Sequence, residues 1–323
     1  DQNVCFSSIT SEPNTDLYSG WYPYPFQVNV SSSSNSTTYY TTNGDIPDTD
    51  DLVVNGPINI NSSTVLSLRS FSSGNQELPS AVVDRTFIVN EENHNLPVFS
   101  IITDEDNLWN WFTGIYVSGP NAGTDYPFFG SNFWEPWSRK SRMEFFDASK
   151  TKRFEAEFDL EIHGGWSRAQ PQKSFRIDTK PTYTGDVEYS LIDKKSSITQ
   201  YNNFNIRNGG QHNWSDRIQD ALISRLAENS NIDRMGYQPC IMYLNGEYWG
   251  LYGIREKIDE HYVESNHGID SRKVELLNKD GALSGSVDHF LETYSLIMNT
   301  NVNDADFLDM MGSRFDLNNY VDY

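Results

Sequence analysis

Cysteine is almost missing: Cys5 and Cys240 are the only two in 323 residues. That is too few for a disulfide framework and the wrong spacing for a zinc site. A single long-range bridge between them stays open. No apolar run approaches the roughly 20 residues of a membrane-spanning helix. No Gly-x-Ser-x-Gly elbow, phosphate loop or His-Glu-x-x-His helix is present. Positive charge is scarce too, with 24 Lys and Arg against 45 Asp and Glu, a formal net charge of -21. Free nucleic acid and anionic membrane surfaces are therefore excluded as bulk partners, and an anionic ligand needs a locally basic pocket. The acids are spread along the chain, which by itself means solubility, a salty habitat or bound Ca²⁺.

What is present supports folding into more than one unit. A hydrophobic content of 37% suffices for real cores, and the length suits two domains better than one. The chain opens on Asp1 rather than Met, which reads as a mature or trimmed chain without its signal peptide. The Ser/Thr/Asn-rich, Tyr/Trp-rich make-up suits an extracellular or bacterial cell-surface protein. Asn29, Asn35, Asn61 and Asn213 begin N-x-Ser/Thr sequons, a motif short enough to recur by chance.

Residues 1–93 read as an all-β sandwich. Alternating runs such as "FQVNV", "TTYYTT", "INI", "TVLSLRSF" and "AVVDRTFIV" are separated by Ser, Gly, Asn, Pro and Asp. Asp45, Asp48, Asp50 and Asp51 can offer oxygen ligands to a structural Ca²⁺ but lack the fixed spacing of a calcium loop, so a solvated turn is the plainer reading. From Leu96 the texture changes to Trp- and Phe-rich segments with helices alternating with strands, which sets a second domain at 94–323. There "WSDRIQDALISRLAENS" predicts a helix capped by Ser215 with Asp216 in its first turn and Ile218, Ala221, Leu222 and Leu226 on one stripe. "CIMYLNGEYWGLYGI" predicts a hairpin turning at Asn245-Gly246, and "REKIDEHYVESNHG" a helix closing on Gly268. The last residues start a helix near Asp316 with Val321 and Tyr323 still apolar, a hint that the natural chain continues.

One stretch carries chemistry. Phe154, Ala156, Phe158, Leu160 and Ile162 alternate with charged residues up to His163, and the strand ends at Gly164-Gly165. Beyond it, Lys173 shares the parity of Phe175 and Ile177 and so points inward. A plain reading has this lysine snorkel to water or pair with a structural carboxylate. The sharper reading is a phosphate site: a glycine pair for close approach, Ser167 and Arg168 as donors, and an ammonium held by Glu256. His163, His212, His261 and His267 show no metal-ligand spacing.

The segment "TTYYTTNGDIPDTDDLVVNGPINI" resembles the chitobiase/hexosaminidase C-terminal-type module, through Tyr40-Thr41, Gly44-Asp45-Ile46-Pro47 and Gly56-Pro57. From about residue 95 to 323 the chain resembles the CotH kinase family, the spore-coat protein H relatives. Six ordered pieces carry this: "LPVFSIITDEDNLWNWFTGIYVSG", "WSRKSRMEFFD", "EIHGGWSRAQPQKSFRI", "NIRNGGQHNWSDRIQDALISRLA", "IMYLNGEYWGLYGIREKIDEHYV" and "FDLNNYVDY".

The resemblance implies an α+β divergent kinase-like fold, truncated at its C-terminus here, that binds ATP with Mg or Mn and phosphorylates Ser or Thr of partner proteins, among them cell-surface or coat proteins. Carried over, Lys173 meets the nucleotide phosphates and Gly165, Ser167 and Arg168 form the turn before it. Asp216 and Arg217 shape the cleft, and Glu256 and Asp259 match the acids after the hairpin, with Glu256 as the lysine's partner. Replacing Lys173 by Ala is then expected to abolish nucleotide binding at little cost in stability.

Two departures stand out. Gln172 replaces the first of the family's two lysines. The family's "Asn-x-Asp" and "Trp-Asp-x-Asp" segments, which look like its metal-holding and catalytic acids, fall beyond residue 323. The rival readings are a non-enzymatic adhesion or glycan-binding protein, since aromatic faces stack on sugars, and a pseudokinase scaffold that keeps the fold without transfer.

Overall fold

The alternating runs of the first ninety residues fold as strands whose apolar side chains face one another across two layers. A computed structural model describes residues 8–74, 77–92, 94–180 and 182–323. The strands are β1 (Gly20–Tyr22), β2 (Phe26–Val28), β3 (Ser36–Thr41), β4 (Leu52–Val53), β5 (Ile58–Ile60), β6 (Thr64–Ser72) and β7 (Val83–Val89). A five-stranded sheet runs β1-β7-β6-β3-β4, and β2 pairs with β5 as a ribbon. Val28 and Ile60 of the ribbon pack on Leu66, Leu68 and Phe87 of the sheet, all essentially solvent-free. The sandwich reading is met in this two-layered form. The boundary expected near residue 93 falls on Asn93, outside the described residues, as does Cys5; Cys240 is a buried free thiol.

The second region is mostly β rather than the mixed α+β arrangement expected. Strands β8 (Val98–Ile102), β9 (Ser138–Phe146), β10 (Lys152–His163), β11 (Ser174–Asp178), β12 (Asn203–Arg207), β13 (Tyr237–Leu244) and β14 (Glu247–Arg255) close a barrel. Its order is β8-β9-β10-β11-β12-β14-β13, sealed by the parallel pairing of β8 with β13 through Val98–Ile241 to Ile101–Leu244. Phe99, Phe158, Leu160, Ile177, Phe204, Ile206 and Ile254 fill the interior. Successive side chains alternate faces, so filling the barrel fixes which residues of β10 to β14 point outward. The helices lie between or after the strands: α1 (Glu105–Trp109), α2 (Gln219–Leu226), α3 (Glu260–His267), α4 (Asp288–Asn299), α5 (Phe307–Gly312) and α6 (Leu317–Asp322).

Local punctuation is obeyed in most places. Asn245 (φ 51°) and Gly246 (φ 86°) make the tight turn between β13 and β14. The Asp259 carboxylate accepts the amides of His261 and Tyr262 at the start of α3, and Gly268 ends it in the left-handed region. The helix expected from Ser215 is corrected: α2 begins only at Gln219, because Arg217 sits at φ 57°, which no α-helix continues through. The Arg217 Nε donates to the Asn213 carbonyl at 2.7 Å and holds that turn. The expected apolar stripe is corrected with it. Only Ala221 is buried, while Ile218, Leu222 and Leu226 are exposed.

The N-terminal module is bonded to the barrel rather than tethered. The hairpin tip enters it so closely that a Cβ at Gly246 would lie 2.5 Å from Thr64 Cα, and one at Gly44 would meet the Thr103 carbonyl at 2.6 Å. Asp45 Oδ1 accepts the Glu105 amide at 2.7 Å, and the Ile46 amide donates to Asp104 at 3.1 Å. The Gly-Asp-Ile-Pro turn noted in the sequence is thus a docking element. Asp48 and Asp51 instead accept amides of their own loop. Beneath the turn, Arg142 pairs with Asp84 at 2.6 Å, both side chains about a tenth exposed, and donates to Gly44 O. Ile88, Val98, Phe146, Ile241 and Tyr243 form an apolar cluster common to both regions. Arg142→Ala leaves the largely buried Asp84 carboxylate with Ser67 Oγ as donor and without its counter-charge, and is expected to cost about 3 kcal/mol. Denaturant unfolding followed by near-UV dichroism should show module and barrel signals shifting together.

Candidate functional site

Strand register builds a charged surface on the outside of the barrel. Glu161 pairs with Arg176, Arg176 with Asn205, Asn205 with Arg255, and Arg255 with Tyr237, so these five lie in one row across five strands. One step along, His163 pairs with Ser174 and Arg207 with Gly253, placing small residues beside Arg207. The loop Asn208–Ile218 and α2 cover this face. As a result Arg255 is 1% exposed, its Nη1 3.1 Å from Asp220 Oδ2 and its Nη2 3.0 Å from Ser224 Oγ. Arg207 Nε approaches the same Asp220 oxygen at 3.7 Å, and Arg176 Nη1 meets Glu161 at 3.3 Å.

Two guanidiniums thus share the single carboxylate of Asp220. The Nε atoms of Arg176, Arg207 and Arg255 are buried without a hydrogen-bond acceptor, as is Asn205 Oδ1 beside them. Buried polar groups are nearly always partnered, so such a cluster calls for an account. Planar guanidiniums with unspent donors bind oxyanions in preference to other groups.

A cleft opens beside them. Gly165, Trp166, Ser167, Arg207, Gly209, Gly210, Gln219 and Asp220 line a cavity of about 450 Å³. A smaller one of about 100 Å³ adjoins it through Arg207, Gly209 and Asp220 and is lined also by Asp216, Arg217, Tyr237 and Arg255. Glycine is required where the backbone is tight: Gly209 and Gly210 take φ of 94° and 63°, and a Cβ at Gly210 would lie 2.7 Å from Arg207 Nη2. A Cβ at Gly165 would meet nothing, so the turn leaves space on the cleft side.

Of the residues singled out from sequence, Gly165, Ser167, Asp216 and Arg217 come together here, although Asp216 and Arg217 sit in a turn rather than a helix. Glu256 and Asp259 line a different cavity of about 280 Å³ with Asp186, Asn203 and His261. The expected Lys173–Glu256 pair is corrected: Glu256 meets Lys195 Nζ at 2.6 Å and accepts the Gly236 amide and Asn266. Asp259 is bound to Lys257 at 2.9 Å and to Asn203. Lys173 does point inward, 4% exposed, but its Nζ donates to the carbonyls of Arg168 and Gln170 at 2.6 and 3.1 Å. Arg168 itself is held by Gly164 O and Phe133 O. Lys173→Ala would orphan two carbonyls and leave a void, so it is expected to cost about 3 kcal/mol rather than little.

Sequence reasoning missed Arg176, Arg207 and Arg255. The signal available was parity: each occupies the polar face of a strand whose other face is apolar. Their partnership across strands required the register.

Among the described residues no group of three or more His, Cys, Asp or Glu side chains converges to hold a metal. The donor set instead fits an oxyanion.

The structure is thus a two-layered β module docked on a mostly β barrel, with a glycine-walled cleft lined by arginine. The family described as CotH kinase protein matches residues 160–323, and the chitobiase/beta-hexosaminidase C-terminal domain matches residues 17–84. The chain belongs to the CotH kinase protein family. Among curated proteins none matches it. No helix among the described residues is long and apolar enough to cross a membrane.

Burial and the neighbouring Arg176, Arg207 and Arg168 push the His163 imidazole down to about 3. The unfolded chain takes up that proton near pH 6.5, whereas the folded one refuses it. His163 therefore withdraws stability as pH falls from about 6.5 toward 3, and none above. Denaturant midpoints measured across this range should fall less steeply for His163→Gln than for the parent; equal slopes would exclude the assignment.

Proposed function

We propose that this chain acts as a CotH-type protein kinase, or the part of one that receives the nucleotide, with the arginine-lined cleft taking the phosphates of ATP. The observation that carries this is the set of unspent guanidinium donors on Arg176, Arg207 and Arg255 beside two glycine turns. Phosphoryl transfer depends largely on positioning and charge stabilisation. On this reading Arg207, reached from both cavities, meets a phosphate oxygen. Gly165, Gly209 and Gly210 let the backbone approach, and Arg217 and Ser167 border the site. Mg or Mn would accompany the nucleotide, neutralising charge as the γ-phosphoryl passes to a Ser or Thr hydroxyl of a partner protein.

The barrel is then a strand-dominated relative of the kinase fold, with the module of residues 1–93 as its buttress and 94–323 as the kinase-type domain. Family membership supports a setting at a cell surface or coat and a protein as the acceptor.

Calorimetric titration of Mg-ATP and of Mn-ATP tests the reading. Binding is expected in the parent chain and about tenfold or more weaker in Arg207→Ala, the loss of one charge-assisted hydrogen bond. Equal affinity in parent and variant would remove the cleft from the nucleotide. Binding of oligosaccharides with none of ATP would favour the glycan reading instead.

A further inference from the structure

Lys173 is the one buried cation of the turn that the cleft does not use. Its ammonium lies 2.6 Å from Arg168 O and 3.1 Å from Gln170 O, and 3.8 Å from the centre of the Phe133 ring. Two of its three N–H bonds are thus spent on carbonyls and the third faces an aromatic π-surface. Its backbone is fixed as well: the amide donates to Tyr116 Oη at 3.0 Å, and the carbonyl accepts from Tyr252 Oη at 3.0 Å. Tyr116 in turn donates to Pro171 O at 2.8 Å. Lys173 lines neither of the two joined cavities.

We propose that Lys173 is a positioning residue, which latches the turn from Gly164 to Gln172 in its anion-receiving shape and does not itself touch the ligand. The carbonyls it binds belong to Arg168, inside the helical turn Trp166–Ala169, and to Gln170, its C-cap; that turn brings Trp166 and Ser167 to the cleft. Holding those two oxygens toward the interior keeps acceptors, which would repel an oxyanion, away from the cavity. Burial brings the ammonium down to about 8, while two carbonyls and a ring face stand where they favour its charged form.

The latch rests on the cleft being the nucleotide-phosphate site, and its test separates the two. Lys173→Met keeps the apolar stem against Phe133 and removes the donors. In the ligand-free protein, hydrogen exchange at the amides of residues 165–170 is expected to quicken about tenfold in this variant. With ATP as probe, Lys173→Met should bind more weakly while the dependence of affinity on salt stays as in the parent, since no ligand-facing charge has gone. Arg207→Ala should flatten that dependence.

Unchanged exchange in Lys173→Met overturns the latch, and so does a flattened salt dependence. If the parent takes up no ATP, the nucleotide reading fails while the exchange comparison still decides the latch. If Lys173→Met does not fold, the ¹⁵Nζ resonance of Lys173 in the parent decides. It is expected to stay put at ATP concentrations that move Arg207 Nε, and a shift of its own would overturn the proposal.

Discussion

Closure of the barrel is the constraint on which the other features rest. The parallel pairing of β8 with β13 seals seven strands around a solid apolar interior. Once every second residue of β10, β11, β12 and β14 is committed to that interior, the remaining ones have no freedom to turn away. Arg176, Arg207 and Arg255 are forced onto one outer face, where α2 and the Gly209–Arg217 loop lie over Arg207 and Arg255. Guanidiniums under cover with too few carboxylates form a local positive site in a chain whose formal charge is -21. Long-range repulsion of anions by the many surface acids is screened within about 8 Å at physiological salt, whereas contacts inside a cleft are screened much less.

The same closure explains why the N-terminal module is not a passenger. The tip of the β13–β14 hairpin leaves the barrel and enters the module at Thr64, with glycine at each close approach. The buried Arg142–Asp84 pair spans the two regions, and a pair of that kind specifies geometry more than it adds stability. The hairpin strands that carry Tyr252 and Arg255 to the cleft are therefore braced from the opposite end. Lys173 plays the corresponding part near the cleft, where an ammonium and two tyrosine hydroxyls fix a turn that has little secondary structure of its own.

Much of this was open to inspection in the chain. The strand from Lys152 to His163, the inward lysine, the Asn245-Gly246 turn and the Gly268 helix end all follow from side-chain period and backbone preference, which act over a few residues. The start of α2 was misread because Ser215 and Asp216 make a good cap in isolation. The left-handed conformation of Arg217 is set by its own loop, packed against Gly209 and bonded to His212 and Asn213, which the cap pattern does not announce. Lys173 was given the wrong partner for a related reason. A carboxylate was the obvious counter-charge, whereas two backbone carbonyls and a phenyl ring leave no mark in residue identity.

The sequence alone determined that the chain is acidic, poor in cysteine, β-rich at its start, and patterned like the family to which it belongs, because composition, period and motif are properties of neighbouring residues. Only the tertiary structure decided that the expected site residues divide, with Gly165, Ser167, Asp216 and Arg217 at one cleft and Glu256 and Asp259 at another cavity. It also decided that Arg207 and Arg255, from two strands, meet Asp220 of one helix. Strand register and barrel closure set those distances, and both arise from pairing between segments far apart in the chain.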